Sequence, residues 1–148
     1  MTQIPEHREF LTDLEAETLV AAFVDATLPK PAWNHRAHLT AGLWIVTHEG
    51  LERARSSMPP AIKRFNAAVG IANTPTSGYP HETITQLYLT IVDRFRRTMP
   101  PDAGFAAAAN HLVEQWGGRE LPLRYYSEAL LMAPEARSRW ILPNLAPV

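Results

Sequence analysis

The sequence predicts an all-α fold, a single bundle of about five to seven helices, on three observations. Its 13 prolines cut the chain into segments whose apolar residues recur at the three-to-four spacing of a helix face. Residues that cap helices stand where several of these segments begin. Alternating polar and apolar runs, the mark of half-buried strands, are hard to find.

The first helix is expected to start at Thr12, whose hydroxyl caps while Glu15, three residues on, completes a capping box. It turns Ala16, Leu19, Val20 and Phe23 inward and stops at Leu28-Pro29-Lys30-Pro31. A second helix begins at Asn34, a good N-cap, and runs to Gly50, read as a left-handed stop. In the third segment the pair Pro59-Pro60 predicts a short helix that breaks and then resumes to Gly70.

A loop rich in turn formers, IANTPTSGY, leads to a fourth helix, expected to take Pro80 as its first residue and to end before Pro100-Pro101. The fifth, DAGFAAAANHLVEQW, stops at Gly117-Gly118, and the tail carries one or two short helices over YYSEALLMAPEARSRW. Residues 1–148 read as one domain, with 1–11 as a flexible N-terminal tail. Trp44, Trp116, Trp140 and the alanines 106–109 are assigned to core and close helix packing.

Composition narrows the function. At 148 residues and 46% hydrophobic content the chain is large enough to bury one core. Its 14 Lys and Arg residues nearly balance 15 Asp and Glu, so no net field is available for a polyanion or an anionic membrane. Neither nucleic acid nor membrane is therefore expected as a partner. Without cysteine, disulfides, thiolate metal sites and a thiol nucleophile are excluded, and any metal must be held by nitrogen and oxygen. No apolar stretch approaches the ~20 residues that span a bilayer, and the expectation is a soluble, cytoplasmic protein. Gly-rich phosphate loops, dinucleotide fingerprints and the G-x-S-x-G elbow are missing, which leaves nucleotide cofactors and serine-hydrolase chemistry without support.

Histidines carry the strongest chemical signal. His35 and His38 lie three apart on the inward stripe of the second helix, which continues through Leu39, Gly42, Ile45 and Val46. An inward imidazole pair is either a hydrogen-bonded core pair or half of a metal site. His81 and Glu82 open the fourth helix. A carboxylate there is favoured by the helix dipole whatever else it does, whereas a histidine gains nothing from that end when protonated. His35, His38, His81 and Glu82 form a three-nitrogen, one-oxygen set suited to a divalent zinc, iron, manganese or nickel ion. With an open coordination position such a site supports hydrolase, lyase or oxygenase chemistry, with Glu82 as fourth ligand or general base.

Tyr79, Thr83 and Thr85 are candidates to position a small-molecule substrate beside this set, and Arg64 and Asn66 to anchor an anionic group on it. His111 and Glu114, three apart on the fifth helix, are a weaker pair, better read as exposed. The string HETIT lacks the second histidine of the zinc-protease motif H-E-x-x-H, because Thr85 stands in its place.

Trp33-Asn-His-Arg-Ala-His-Leu39, followed by Gly-Tyr-Pro-His-Glu-Thr-Ile-Thr, resembles a family of small helical bacterial proteins that carry W-x-H-x-x-H-L and then G-Y-H-E-T-I-T. The tail, Tyr125-Tyr-Ser followed by ARSRWILPNLAPV, is similar to that family's ending, and the likeness spans roughly residues 30 to 148. It implies a helical fold and strengthens the histidine site without naming a reaction. This chain departs from the pattern by Pro80, inserted between Tyr79 and His81. The leading expectation is a metal-dependent enzyme acting on a small molecule. The alternative is a non-catalytic small-ligand-binding protein, or a homodimeric interaction protein, in which the same residues are structural.

Overall fold

The structure, a computed structural model, describes residues 8–74 and 81–148. Seven α-helices and no strand occur among them: α1 (Asp13–Val24), α2 (His35–Glu49), α3 (Leu51–Ala68), α4 (Glu82–Thr98), α5 (Phe105–Trp116), α6 (Glu128–Met132) and α7 (Pro134–Ser138). Short 3-10 turns at Lys30–Ala32 and Leu121–Arg124 join them. The all-α bundle is as the sequence predicts. None of these helices is long and apolar enough to cross a membrane.

α2 is the central element and packs against α1, α3, α4 and α5. Its sequence explains the placement: Ala37, Ala41 and Gly42 let neighbours approach closely, and Leu39, Leu43, Ile45 and Val46 are buried among them. Between Ala37 and Val46 every position except His38 and Thr40 is apolar, and a stretch of that kind belongs inside. Phe23, Leu39 and Phe65 complete the main core, each with 2% or less of its surface exposed. Burial of side chains of this size stabilises by roughly 1.5–3 kcal/mol apiece.

Helix starts follow the sequence closely in the first half of the chain. Thr12 Oγ1 accepts from the Glu15 amide at 3.2 Å, and Asn34 Oδ1 from the Ala37 amide at 3.0 Å. Gly50 ends α2 and immediately opens α3 with φ 85° and ψ 159°. That is an extended, positive-φ conformation almost confined to glycine, rather than the left-handed helical stop expected.

Further expectations need correction. α3 does not break at Pro59-Pro60 but runs unbroken through both prolines. Pro59 has no amide proton to give the Arg55 carbonyl one turn back. That carbonyl instead accepts from Gln86 Nε2 of α4 at 3.1 Å, so a neighbouring helix supplies the missing donor. α4 begins at Glu82 rather than Pro80, which lies outside the described residues, and its cap is His81. In the N-terminal tail, Phe10 is docked: it is buried, and its backbone N–H and C=O are both bonded by the Asn110 side chain.

α5 has glycine at its cap position, and Asp13 Oδ1 of α1 accepts from the Ala106 amide at 2.8 Å in place of a local cap. Trp140 is not core, against expectation. It is 44% exposed and lies beneath the Arg55 guanidinium, 4.3 Å from ring centroid to Cζ. The C-terminal residues build a second, smaller cluster around Leu87, Ile91, Leu121 and Tyr126.

Candidate functional site

Between α2, α3 and α4 lies a cavity of about 420 Å³, within the ~300–1,000 Å³ span of small-molecule sites. α2 contributes His35, His38, Leu39 and Gly42, which are three or four residues apart and therefore share a face. The facing stripe of α4 is Ile84, Thr85, Tyr88, Leu89 and Val92, at the same spacing. Met58 and Ile62 of α3 close one side, and Arg119 and Pro122, from the turn after α5, close another. The walls are mostly apolar, with polar groups contributed by a few side chains. No aspartate or glutamate is among the described lining residues.

The two histidines sit in distinct settings. The His38 ring stacks on Trp33 at 3.9 Å between centroids, and the opposite partner of Trp33 is Phe23, stacked at 4.2 Å and 6°. Burial, and next the neighbouring His35, pull the His38 pKa down to about 3. Burial, and next the Arg119 guanidinium, also lower His35. Both imidazoles are neutral at physiological pH, each with one donor and one acceptor nitrogen. His35 packs edge-on to Tyr88, and its Nε2 is buried with no hydrogen-bond partner among the described residues. Tyr88 is itself raised to about 12 by burial, so its phenol keeps its proton, and its one recorded bond, to the Gly118 carbonyl, is long at 3.5 Å.

His81 is placed otherwise. Its Nδ1 accepts from the Ile84 amide at 3.2 Å, capping α4, and its Nε2 donates to the Leu131 carbonyl at 2.8 Å. The cap needs a neutral ring, and burial indeed lowers the pKa of His81. A protonated histidine would gain nothing at this end of a helix, whereas the neutral imidazole caps as an acceptor, just as a carboxylate or hydroxyl does. Beside it, Glu82 Oε1 accepts from Gln86 Nε2 at 2.7 Å.

The structure thus brings His35 and His38 together at the cavity and leaves His81 and Glu82 out of its lining. Among the described residues no group of three or more histidine, aspartate or glutamate side chains is arranged to hold a metal. The donor set suggested by the sequence is not assembled. Metal ligation by His81 would cost at least one of its two hydrogen bonds to protein groups.

Of the substrate candidates, Thr85 lines the cavity. Thr83 is fully buried and engaged with the tail: its hydroxyl donates to the Arg139 carbonyl at 2.9 Å and accepts from the Ile141 amide at 3.1 Å. Arg64 bonds the Val24 carbonyl at the end of α1, and buried Asn66 reaches Asn73 where the chain leaves α3. Tyr79 lies outside the described residues. His111 and Glu114 form an exposed contact at 3.9 Å on α5.

Comparison with protein-family models, with curated proteins and with solved structures finds no match to this chain. The family likeness therefore rests on its motif residues, and the reading of function rests on the cavity. Two of its residues escaped the sequence reading. Tyr88 carried a signal, standing three residues after Thr85 on the same face. Arg119 carried none, because it follows a helix-stopping glycine pair and only the fold brings it to α2.

Proposed function

We propose that this protein binds a small organic molecule in the cavity between α2, α3 and α4, with His35 and His38 as neutral hydrogen-bonding groups. The observation that carries this reading is the buried, unpartnered Nε2 of His35 at a cavity otherwise lined largely by apolar groups. A buried polar atom without a partner costs roughly 1–3 kcal/mol, and a ligand atom that bonds it removes that cost. Trp33, stacked on His38, makes the site readable by fluorescence.

A fragment screen read by amide chemical shifts tests the reading. Hits should move residues 33–42 of the α2 region and 84–92 of α4 together, and the shifts should vanish in a His35→Leu, His38→Leu variant that remains folded. Hits that map only to the C-terminal segment, or none at all, would overturn it.

A metal-dependent reaction at the same cavity is the second reading, favoured by one observation: two imidazoles line one cavity, both kept neutral by burial, as metal ligation requires. Its test is elemental mass spectrometry of protein purified without chelator. Near-stoichiometric zinc, iron, manganese or nickel, lost in His35→Ala, His38→Ala protein, would displace the organic-ligand reading. Failure to bind any of the four on reconstitution would retire it.

A further inference from the structure

We propose that the ligand of this cavity is an organic acid, an apolar molecule bearing one carboxylate that pairs with Arg119 and hydrogen-bonds His35. This deepens the reading above and rests on it. Arg119, an exposed residue, is the one charged side chain among the described lining residues, and it makes no hydrogen bond or ion pair to a described residue. An arginine fork without a carboxylate beside it is complementary to an oxyanion and repels an ammonium.

Tyr88 retains its phenolic proton, which its long 3.5 Å bond to the Gly118 carbonyl holds only weakly. His35, with no partner at Nε2, is free to place its proton there, and it lines the same cavity as Arg119. Arg119, His35 and Tyr88 therefore offer donors to one head group, while no acidic side chain is present to receive a ligand cation. Leu39, Ile84, Leu89 and Val92 present only hydrocarbon, which suits an uncharged body.

Trp33 has aromatic partners on both faces, so it gives the ligand an edge rather than a stacking platform. Recognition of the body is then by apolar contact, and selectivity comes from the head.

The test uses two matched probe series, octyl and 4-phenylbutyl, each as carboxylate, alcohol and ammonium, with affinity measured by calorimetry at pH 7.5. The carboxylate should bind at least about tenfold more tightly than the alcohol of its series, and the ammonium weakest. Arg119→Gln should bring the carboxylate down to the alcohol's level and leave the alcohol unchanged. Gly42→Leu, which fills the cavity wall, should weaken carboxylate and alcohol alike. Binding with no preference for the acid, or a preference surviving Arg119→Gln, overturns the organic-acid assignment while leaving a small-ligand site standing. Failure of all six probes on folded protein overturns both.

Discussion

Two helix starts in this bundle carry histidine, and they use it in opposite ways. At the head of α4, His81 has both ring nitrogens bonded to backbone, Glu82 holds Gln86, and Thr83 grips the tail through two hydrogen bonds. At the head of α2, Asn34 supplies the cap, so His35 and His38 are released from that duty and face a cavity. The more conspicuous motif, HETIT, is thus largely architecture, whereas the plainer HRAH retains unspent hydrogen-bonding capacity. Polar density in a sequence does not separate the two cases, but the partners of each polar atom do.

The contrast is broken or sharpened most strongly at Gln86. This side chain is 3% exposed and bonds the Arg55 carbonyl, the Arg55 guanidinium and Glu82. Gln86→Leu should cost about 3 kcal/mol or more in urea unfolding, because it leaves buried partners unmet where α3 passes through its prolines. A loss below about 1 kcal/mol would mean that α3 tolerates the prolines for another reason.

A pair of matched substitutions tests the histidines themselves. His81→Leu should destabilise by roughly 1–3 kcal/mol through the lost cap and the orphaned Leu131 carbonyl. His35→Leu should leave stability unchanged or raise it, since it removes a buried polar atom that has no partner. Equal destabilisation by both would erase the distinction between an architectural and an available histidine.

Acid titration gives the next effect. His35, His38 and His81 all have lowered pKa values in the fold, so the unfolded chain binds more protons and stability falls as pH drops. The full contribution is present above about 6.5, the unfolded value, and for His38 it declines down to the folded value of about 3. Denaturant midpoints at pH 7.5, 6.0 and 4.5 should decline in that order, and His38→Gln should flatten the slope most.

The smallest expected effect is at Gly42. A methyl added there meets Leu89 at 3.9 Å, an ordinary contact, on the side facing the cavity. Gly42→Ala should therefore raise stability by about 0.5–1 kcal/mol, the usual gain from removing a helix-interior glycine. Destabilisation measured by the same urea titration would mean that α2 and α4 meet more tightly than this geometry.

Much of the scaffold was legible in the sequence because its causes are local. Thr12 and Asn34 cap the helices they precede, Gly50 supplies a backbone conformation few other residues adopt, and the spacing of Leu39, Gly42 and Val46 assigns the inner face of α2. Those signals depend on residues within a turn or two of one another, so no knowledge of the fold is required to read them.

What only the tertiary structure decided has its cause at long range. Gln86 keeps α3 helical across 31 positions of sequence, and Asp13 caps α5 from 93 residues away. Thr83 meets the tail 56 and 58 positions on. Arg119 lines the same cavity as the histidines of α2 although nothing near it in the chain marks it for that purpose. A polar side chain can satisfy any suitable group that packing brings within about 3 Å. The residue type states what bond it can make, and only the fold selects the partner and so leaves His35 with none.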